Sequence, residues 1–159
     1  MNDKFTKPNK DIPNCQVVQF QELMARLFQC CQERMQYQSE RFALPDAELR
    51  CLQLFANERY LTPKSIAHKM DVVKSRVTRI IDGMVRRELI QRIKDPADSR
   101  ITLLRLTPRG QVKLDEIKLF MDSIHLEVLS QIAPGQRKAI LTNLEVLKAS
   151  MEAVNEFMV

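Results

Sequence analysis

The stretch LTPKSIAHKMDVVKSRVTRIIDGMVRRELIQRI, residues 61–93, reads as two helices of different character followed by the start of a strand. Thr62 suits a helix N-cap, because its hydroxyl can accept an otherwise orphaned backbone N–H. Pro63 suits the first turn, where its missing N–H would be unpaired anyway. The helix started there has room for about two turns before Asp71-Val72. A longer pattern follows, with Val73, Val77, Ile80, Ile81, Met84 and Val85 on one face. Lys74, Ser75, Arg76, Thr78, Arg79, Asp82 and Arg86 occupy the opposite face. Two helices joined by a few residues, the second polar and basic on its outside, form a helix-turn-helix.

Working outward, the period changes to two after Leu89. Ile90, Arg92 and Lys94, then Ile101, Leu103 and Arg105, alternate with their neighbours on either side of the turn residues Asp95-Pro96-Ala97-Asp98-Ser99-Arg100. This is a β-hairpin. Thr107-Pro108 repeats the cap and first-turn pairing and starts a helix predicted to run to about Ile132. Ala133-Pro134-Gly135 is expected to break it, with a last helix from Gln136 to about Phe157. The apolar positions Leu114, Ile117, Met121, Ile124 and Val128, then Ile140, Leu144, Leu147, Met151, Val154 and Met158, recur in threes and fours. That spacing serves an intrachain helical hairpin or a seam between subunits equally well.

Upstream, residues 1–14 lack periodicity and read as a flexible arm. Val17, Phe20, Leu23, Met24, Leu27, Cys31 and Met35 mark one face of a long helix from Cys15 to about Ser39, ending before Leu44-Pro45. Asp46 offers an N-cap for a second helix, Ala47 to Asn57. The expected fold is mainly α with a small β-hairpin wing. A winged helix-turn-helix covers residues 46–107, and a helical dimerisation region is built from the N- and C-terminal helices, residues 15–45 and 108–159.

Composition agrees. With 45% hydrophobic residues the 159-residue chain can bury a core, and three Gly against many Leu, Glu, Lys and Arg favour helix. No apolar run approaches the roughly 20 residues that span a bilayer, and the first residues carry scattered charge rather than an apolar block, so a cytoplasmic location is expected. Residues 61–110 hold twelve Lys/Arg and five acids, a local net of +7, which leaves −2 for the other 109 residues. A basic middle between near-neutral ends is the footprint of a polyanion-binding unit. Cys15, Cys30, Cys31 and Cys51 show neither a metal-binding spacing nor a His cluster, and read as small buried apolar residues. His68 and His125 come with no nucleophile motif, so neither an enzyme nor a bound cofactor is expected.

In this order of elements the sequence resembles the MarR family of transcription regulators. The resemblance rests on Leu61-Thr62-Pro63-x-x-Ile66-Ala67, on Ser75-x-Val77-Thr78-Arg79-Ile80-Ile81-Asp82-x-Met84-Val85-x-Arg87-x-Leu89-Ile90-x-Arg92, and on Asp95-Pro96-x-Asp98-x-Arg100 followed by Leu106-Thr107-x-x-Gly110. The chain departs from the family's pattern at Val73, where a Ser usually starts the recognition helix, and at Glu88, where Gly usually precedes Leu-Ile. Capping of the recognition helix is then expected from Asp71 or a neighbour. The resemblance implies a homodimer on a pseudo-palindromic operator in double-stranded DNA, acting as a repressor. It also implies release by a small, often aromatic ligand, or alternatively by oxidation of a first-helix cysteine.

B-DNA's major groove, about 12 Å wide, admits one helix whose first turns reach the base edges. Lys74, Ser75, Arg76, Thr78 and Arg79 occupy those turns and are the expected DNA contacts. Arg100 at the hairpin tip is placed to enter the adjacent minor groove, with Asp98 orienting it. The rival reading is a winged-helix module that binds protein without DNA. Such modules commonly lose the basic face that this chain keeps.

Overall fold

A computed structural model describes residues 11–156. The expected N-terminal arm lies outside the described residues over 1–10, as does the end of the last apolar stripe at Met158. Among the described residues there are six helices and one hairpin: α1 (Asn14–Phe42), α2 (Asp46–Leu54), α3 (Pro63–Met70), α4 (Lys74–Arg86), β1 (Ile90–Lys94), β2 (Thr102–Leu106), α5 (Pro108–Ser130) and α6 (Pro134–Glu156). The chain divides into two compact units, one ending at Gly110 and the other starting at Gln111. Among the described residues, no helix is long and apolar enough to cross a membrane.

The core of the first unit is assembled from α2, α3 and α4, the last turning most of its predicted apolar face inward. Leu49, Leu52 and Phe55 of α2, Ile66 and Met70 of α3, and Val77, Ile80, Ile81 and Met84 of α4 are all buried, with Leu61, Leu89, Ile90 and Leu104 closing over them. The hairpin pairs antiparallel, Ile90 opposite Leu106 and Lys94 opposite Thr102. Leu61 adds a short third edge, its N–H donating to Leu104 O at 3.0 Å and its carbonyl accepting from Leu104 N at 2.7 Å. That edge ties the start of α3 to the base of the hairpin.

The caps explain most of the boundaries. Thr62 and Ser65 form a reciprocal capping box, each hydroxyl 3.0 Å from the other's backbone N. Thr107 caps α5 through Gly110 N at 2.9 Å. Asp46, expected as an N-cap, is instead the first residue of α2, with Pro45 in the cap position and no side-chain cap bond. As an acid in the first turn, Asp46 acts on the helix dipole. Ala133-Pro134-Gly135 separates the last two helices as expected, but Pro134 and Gly135 already belong to α6, two residues before its expected start, because proline at the first helical position gives up no hydrogen bond. The preceding end of α5 is closed by Arg137, whose Nε donates to the carbonyls of Leu129 at 2.9 Å and Ile132 at 3.0 Å.

Three helices end the same way. After α1, α3 and α4, the residues Ala43, Asp71 and Glu88 adopt left-handed φ of 51°, 52° and 58°. In each case the next residue's N–H reaches back to the last turn: Leu44 to Ser39, Val72 to Ala67 and Leu89 to Met84. These are Schellman motifs, and glycine normally fills the left-handed position. None of the chain's glycines has positive φ. Two of them answer to space instead. A Cβ on Gly83 would lie 2.1 Å from Glu48 Oε1, and one on Gly110 would lie 1.8 Å from Leu89 O.

Of the four cysteines only Cys51 is buried, as expected for a small apolar residue, while Cys15, Cys30 and Cys31 lie exposed on α1. Burial, reinforced by the Glu48 carboxylate, pushes the Cys51 thiol up to about 12.

Ala43→Gly and Glu88→Gly should each stabilise the fold by about 1 kcal/mol, by relieving an L-residue held in the left-handed region. Gly110→Ala should destabilise it by about 1–3 kcal/mol through the clash with Leu89 O. Urea unfolding of the three variants checks signs and sizes together. In the native protein at pH 8, Cys51 should resist iodoacetamide and become alkylated only after unfolding, a contrast that peptide mass spectrometry resolves.

Candidate nucleic-acid interface

Burial of Val77, Ile80, Ile81, Gly83 and Met84 turns the opposite face of α4 outward. Lys74, Ser75, Arg76, Thr78 and Arg79 are all exposed on it, over the first two turns as expected. The Thr78 hydroxyl donates to Lys74 O at 3.2 Å, which leaves its oxygen free to accept. Asp71 does not cap this helix. Its left-handed backbone closes α3, and the cap position of α4 falls to Val73, which makes no side-chain cap bond. The leading N–H groups of α4 therefore keep the partial positive charge of a helix start.

Grooves flank α4 on two sides. One, of about 500 Å³, is lined by Thr62, Pro63, Lys64, Ala67, Lys74, Ile101 and Thr102. The other, of about 470 Å³, includes Pro45, Val73, Ser75, Arg76 and Arg79. Between them the helix stands as a ridge, the shape that enters a groove in a partner.

The wing tip is shaped by two aspartates. Asp95 Oδ1 accepts from Ala97 N at 2.8 Å, and Asp98 Oδ1 accepts from Arg100 N at 2.9 Å. Asp98 therefore orients Arg100 through its backbone, and the guanidinium is left to solvent. Asp95 N donates to Ile101 O at 3.0 Å and closes the hairpin below the tip.

Ion pairing sorts the basic residues into two sets. Arg87 pairs with the buried Glu48 at 3.0 Å, Arg109 with Glu88 at 3.1 Å, Lys69 with Glu58 at 2.6 Å, and Arg92 with Asp82. Lys74, Arg76, Arg79 and Arg100 make no ion pair among the described residues. The first set braces the scaffold. The second stands on one helix face and one hairpin tip, and Lys64, Arg86, Lys94 and Arg105 likewise make no ion pair among the described residues. The bracing acids Glu48 and Asp82 were not singled out by sequence reasoning as partners, since the Glu48–Arg87 bond joins residues 39 apart. A signal for it exists in Gly83, whose missing side chain makes room for Glu48. His68 and His125 are both exposed.

The family model for MarR matches residues 44–102, the span from the end of α1 to the start of β2. The chain is 30% identical over 124 residues to a protein named HTH-type transcriptional repressor MdtR from Bacillus subtilis, an alignment covering 78% of this chain and 74% of that one. A MarR family protein from Bacillus stearothermophilus has a similar structure, with a TM-score of 0.78 at 19% identity over 89% of this chain and 99% of that chain. Streptococcus pneumoniae FabT, solved in complex with DNA, matches with a TM-score of 0.76 at 16% identity over 85% and 99% of the two chains. Motif, fold and identity over most of the chain agree, and the protein belongs to the MarR family of winged helix-turn-helix proteins.

Proposed function

We propose that the protein is a transcription regulator that binds double-stranded DNA as a homodimer, and that it acts as a repressor at a pseudo-palindromic operator. The observation that carries the reading is the set of exposed cations without an ion pair, Lys74, Arg76, Arg79 and Arg100, on an α4 ridge and a wing tip, while Arg87, Arg92 and Arg109 nearby are engaged by acids. Unpaired surface guanidinium and ammonium groups neutralise phosphates without first breaking a protein contact. In this reading α4 lies in the major groove, where Lys74, Ser75, Arg76, Thr78 and Arg79 meet base edges and phosphates, and Arg100, shaped by Asp98, enters the minor groove. The name of the B. subtilis relative supports repression, and the DNA complex of the S. pneumoniae neighbour supports the duplex as partner.

Homodimerisation is supported by apolar surface that a lone chain would leave in water. On α1, Val17, Phe20, Leu23, Leu27 and Phe28 are exposed, and on α6 so are Leu141, Leu144, Met151 and Val154. Helices with such stripes bury them against a partner. Two-fold pairing would also present two copies of α4 to half-sites about one helical turn apart, since one helix reads only a few base pairs. Release by a small aromatic ligand completes the regulatory cycle in this reading, with oxidation of an exposed α1 cysteine as the other route. Cys51, buried and with its thiol held neutral, is unsuited to that second role.

Two arginines separate the modes of contact. Arg79→Ala should weaken binding to the selected operator by about 1–3 kcal/mol and to random duplex by less, so specificity falls. Arg100→Ala should weaken both more evenly, because the minor groove distinguishes little beyond A·T from G·C. Fluorescence anisotropy at one fixed salt concentration measures both. Wild-type log affinity should fall linearly with log salt at roughly −0.9 per phosphate neutralised. Absence of binding to any duplex would sink the reading in favour of a protein-binding module. Light scattering at micromolar concentration should report twice the mass of one chain.

A further inference from the structure

Asp82 is the only acid in α4, a helix that otherwise carries Lys74, Arg76, Arg79 and Arg86. On the DNA reading it is out of place: a carboxylate on that helix repels the phosphates its neighbours attract. It is not idle, however. Its Oδ1 accepts a hydrogen bond from Arg92 Nη2, so the pair reaches from the recognition helix to the first strand of the wing. The two side chains are 42% and 45% exposed, and ion pairs that exposed add little to global stability.

What the pair can set is direction. On its own rung, where Arg92 lies opposite Leu104, the hairpin is also tied by the Leu61–Leu104 bridge, and below that rung it is anchored by Thr107 on the Leu89 carbonyl. Beyond Arg92, the strands continue through the Lys94–Thr102 pair to the tip at Asp95–Arg100. A two-stranded ribbon is marginally stable by itself and bends easily. A brace from the middle of β1 to α4 limits the swing of everything beyond it, Arg100 included.

We infer that Asp82 and Arg92 form a strut that positions the wing against the recognition helix, so that Asp82 strengthens DNA binding through Arg92 although its own charge opposes it. The inference rests on the DNA reading. It makes both residues positioning residues, and the strut and plain electrostatics predict opposite signs for one substitution.

The test compares wild type with Asp82→Asn, Asp82→Glu and Arg92→Gln by fluorescence anisotropy. The probe is a duplex selected by the wild-type protein from a random-sequence pool, titrated over a salt series, with thermal melts alongside. Asp82→Asn should weaken binding by about 3- to 10-fold, an effect of the size expected when one coupled contact is lost. Its melting temperature and salt slope should stay close to wild type. Asp82→Glu, which keeps the pair, should bind close to wild type. Arg92→Gln should match Asp82→Asn in both loss and slope. Tighter or unchanged binding by Asp82→Asn would overturn the strut, as would a salt slope lowered by about one in Arg92→Gln alone, since Arg92 would then be a phosphate contact. A wild type that selects no duplex would overturn the DNA reading, and the strut with it. A loss of binding by Asp82→Asn that tracks a fallen melting temperature, and that Asp82→Glu does not rescue, would assign Asp82 to folding alone.

Discussion

The carbonyl of Leu89 is the point at which α4, the hairpin and the start of α5 meet. Leu89 is buried at the end of α4, and its own N–H closes that helix on Met84. Its oxygen accepts from the Thr107 backbone at 3.0 Å, while the Thr107 hydroxyl donates to the adjacent Glu88 carbonyl and caps α5 by accepting from Gly110 N. Three elements therefore share one peptide: the recognition helix that ends there, the strand that begins there and the helix that starts across from it. Gly110 belongs to this arrangement because the carbonyl occupies the space a side chain would need. The Leu-Thr-x-x-Gly pattern is thus a packing constraint. It sets where the hairpin leaves α4, and with it the place of the wing.

That junction also shows why some signals were legible in the sequence and others were not. Thr62-Pro63 and Thr107-Pro108 announce helix starts because cap and first turn are local chemistry, decided within four residues. The buried face of α4 follows from periodicity, as does the hairpin, whose second strand begins one residue later than its alternation suggested. Asp46 misled because a good capping residue after a proline need not stand outside the helix. Pro134 marked the break between the last two helices but also opens the second of them, because proline suits the first helical turn. The three left-handed C-caps were invisible, since Ala43, Asp71 and Glu88 are not the glycines that normally mark such positions. Of these only Glu88 left a trace, as the residue standing where the family has Gly.

The basic surface was legible in a different sense. Counting charge located the excess in residues 61–110, but counting cannot tell a brace from a contact. The structure divides them. Arg87, Arg92 and Arg109 meet Glu48 of α2, Asp82 of α4 and Glu88 after α4, so their charge is engaged within the protein. Setting those pairs aside leaves the residues without an ion pair, among them Lys74, Arg76 and Arg79 on the first turns of α4 and Arg100 at the tip of the wing. Sequence distance hid the partners: an acid 39 positions away from its arginine has no periodic signature.

The same division bears on how the fold tolerates a helix with so polar an exterior. A recognition helix has to stay well ordered while keeping its outer side chains unengaged, and those demands conflict if order comes from side-chain pairing on that face. Here order comes from the other face and from the ends. Val77, Ile80, Ile81 and Met84 anchor α4 in the core, Glu48 fits against Gly83 and grips Arg87, and Leu89 closes the last turn. Only the N-terminal turn lacks a side-chain cap, and it is there that Lys74, Ser75 and Arg76 stand. An uncapped helix start with free N–H groups is a weakness in an isolated fold, because nothing but water satisfies it. Beside a phosphate the same groups become donors to an anion. The missing Ser at position 73 therefore leaves the start of α4 open to an anion, which is what the proposed DNA reading asks of it.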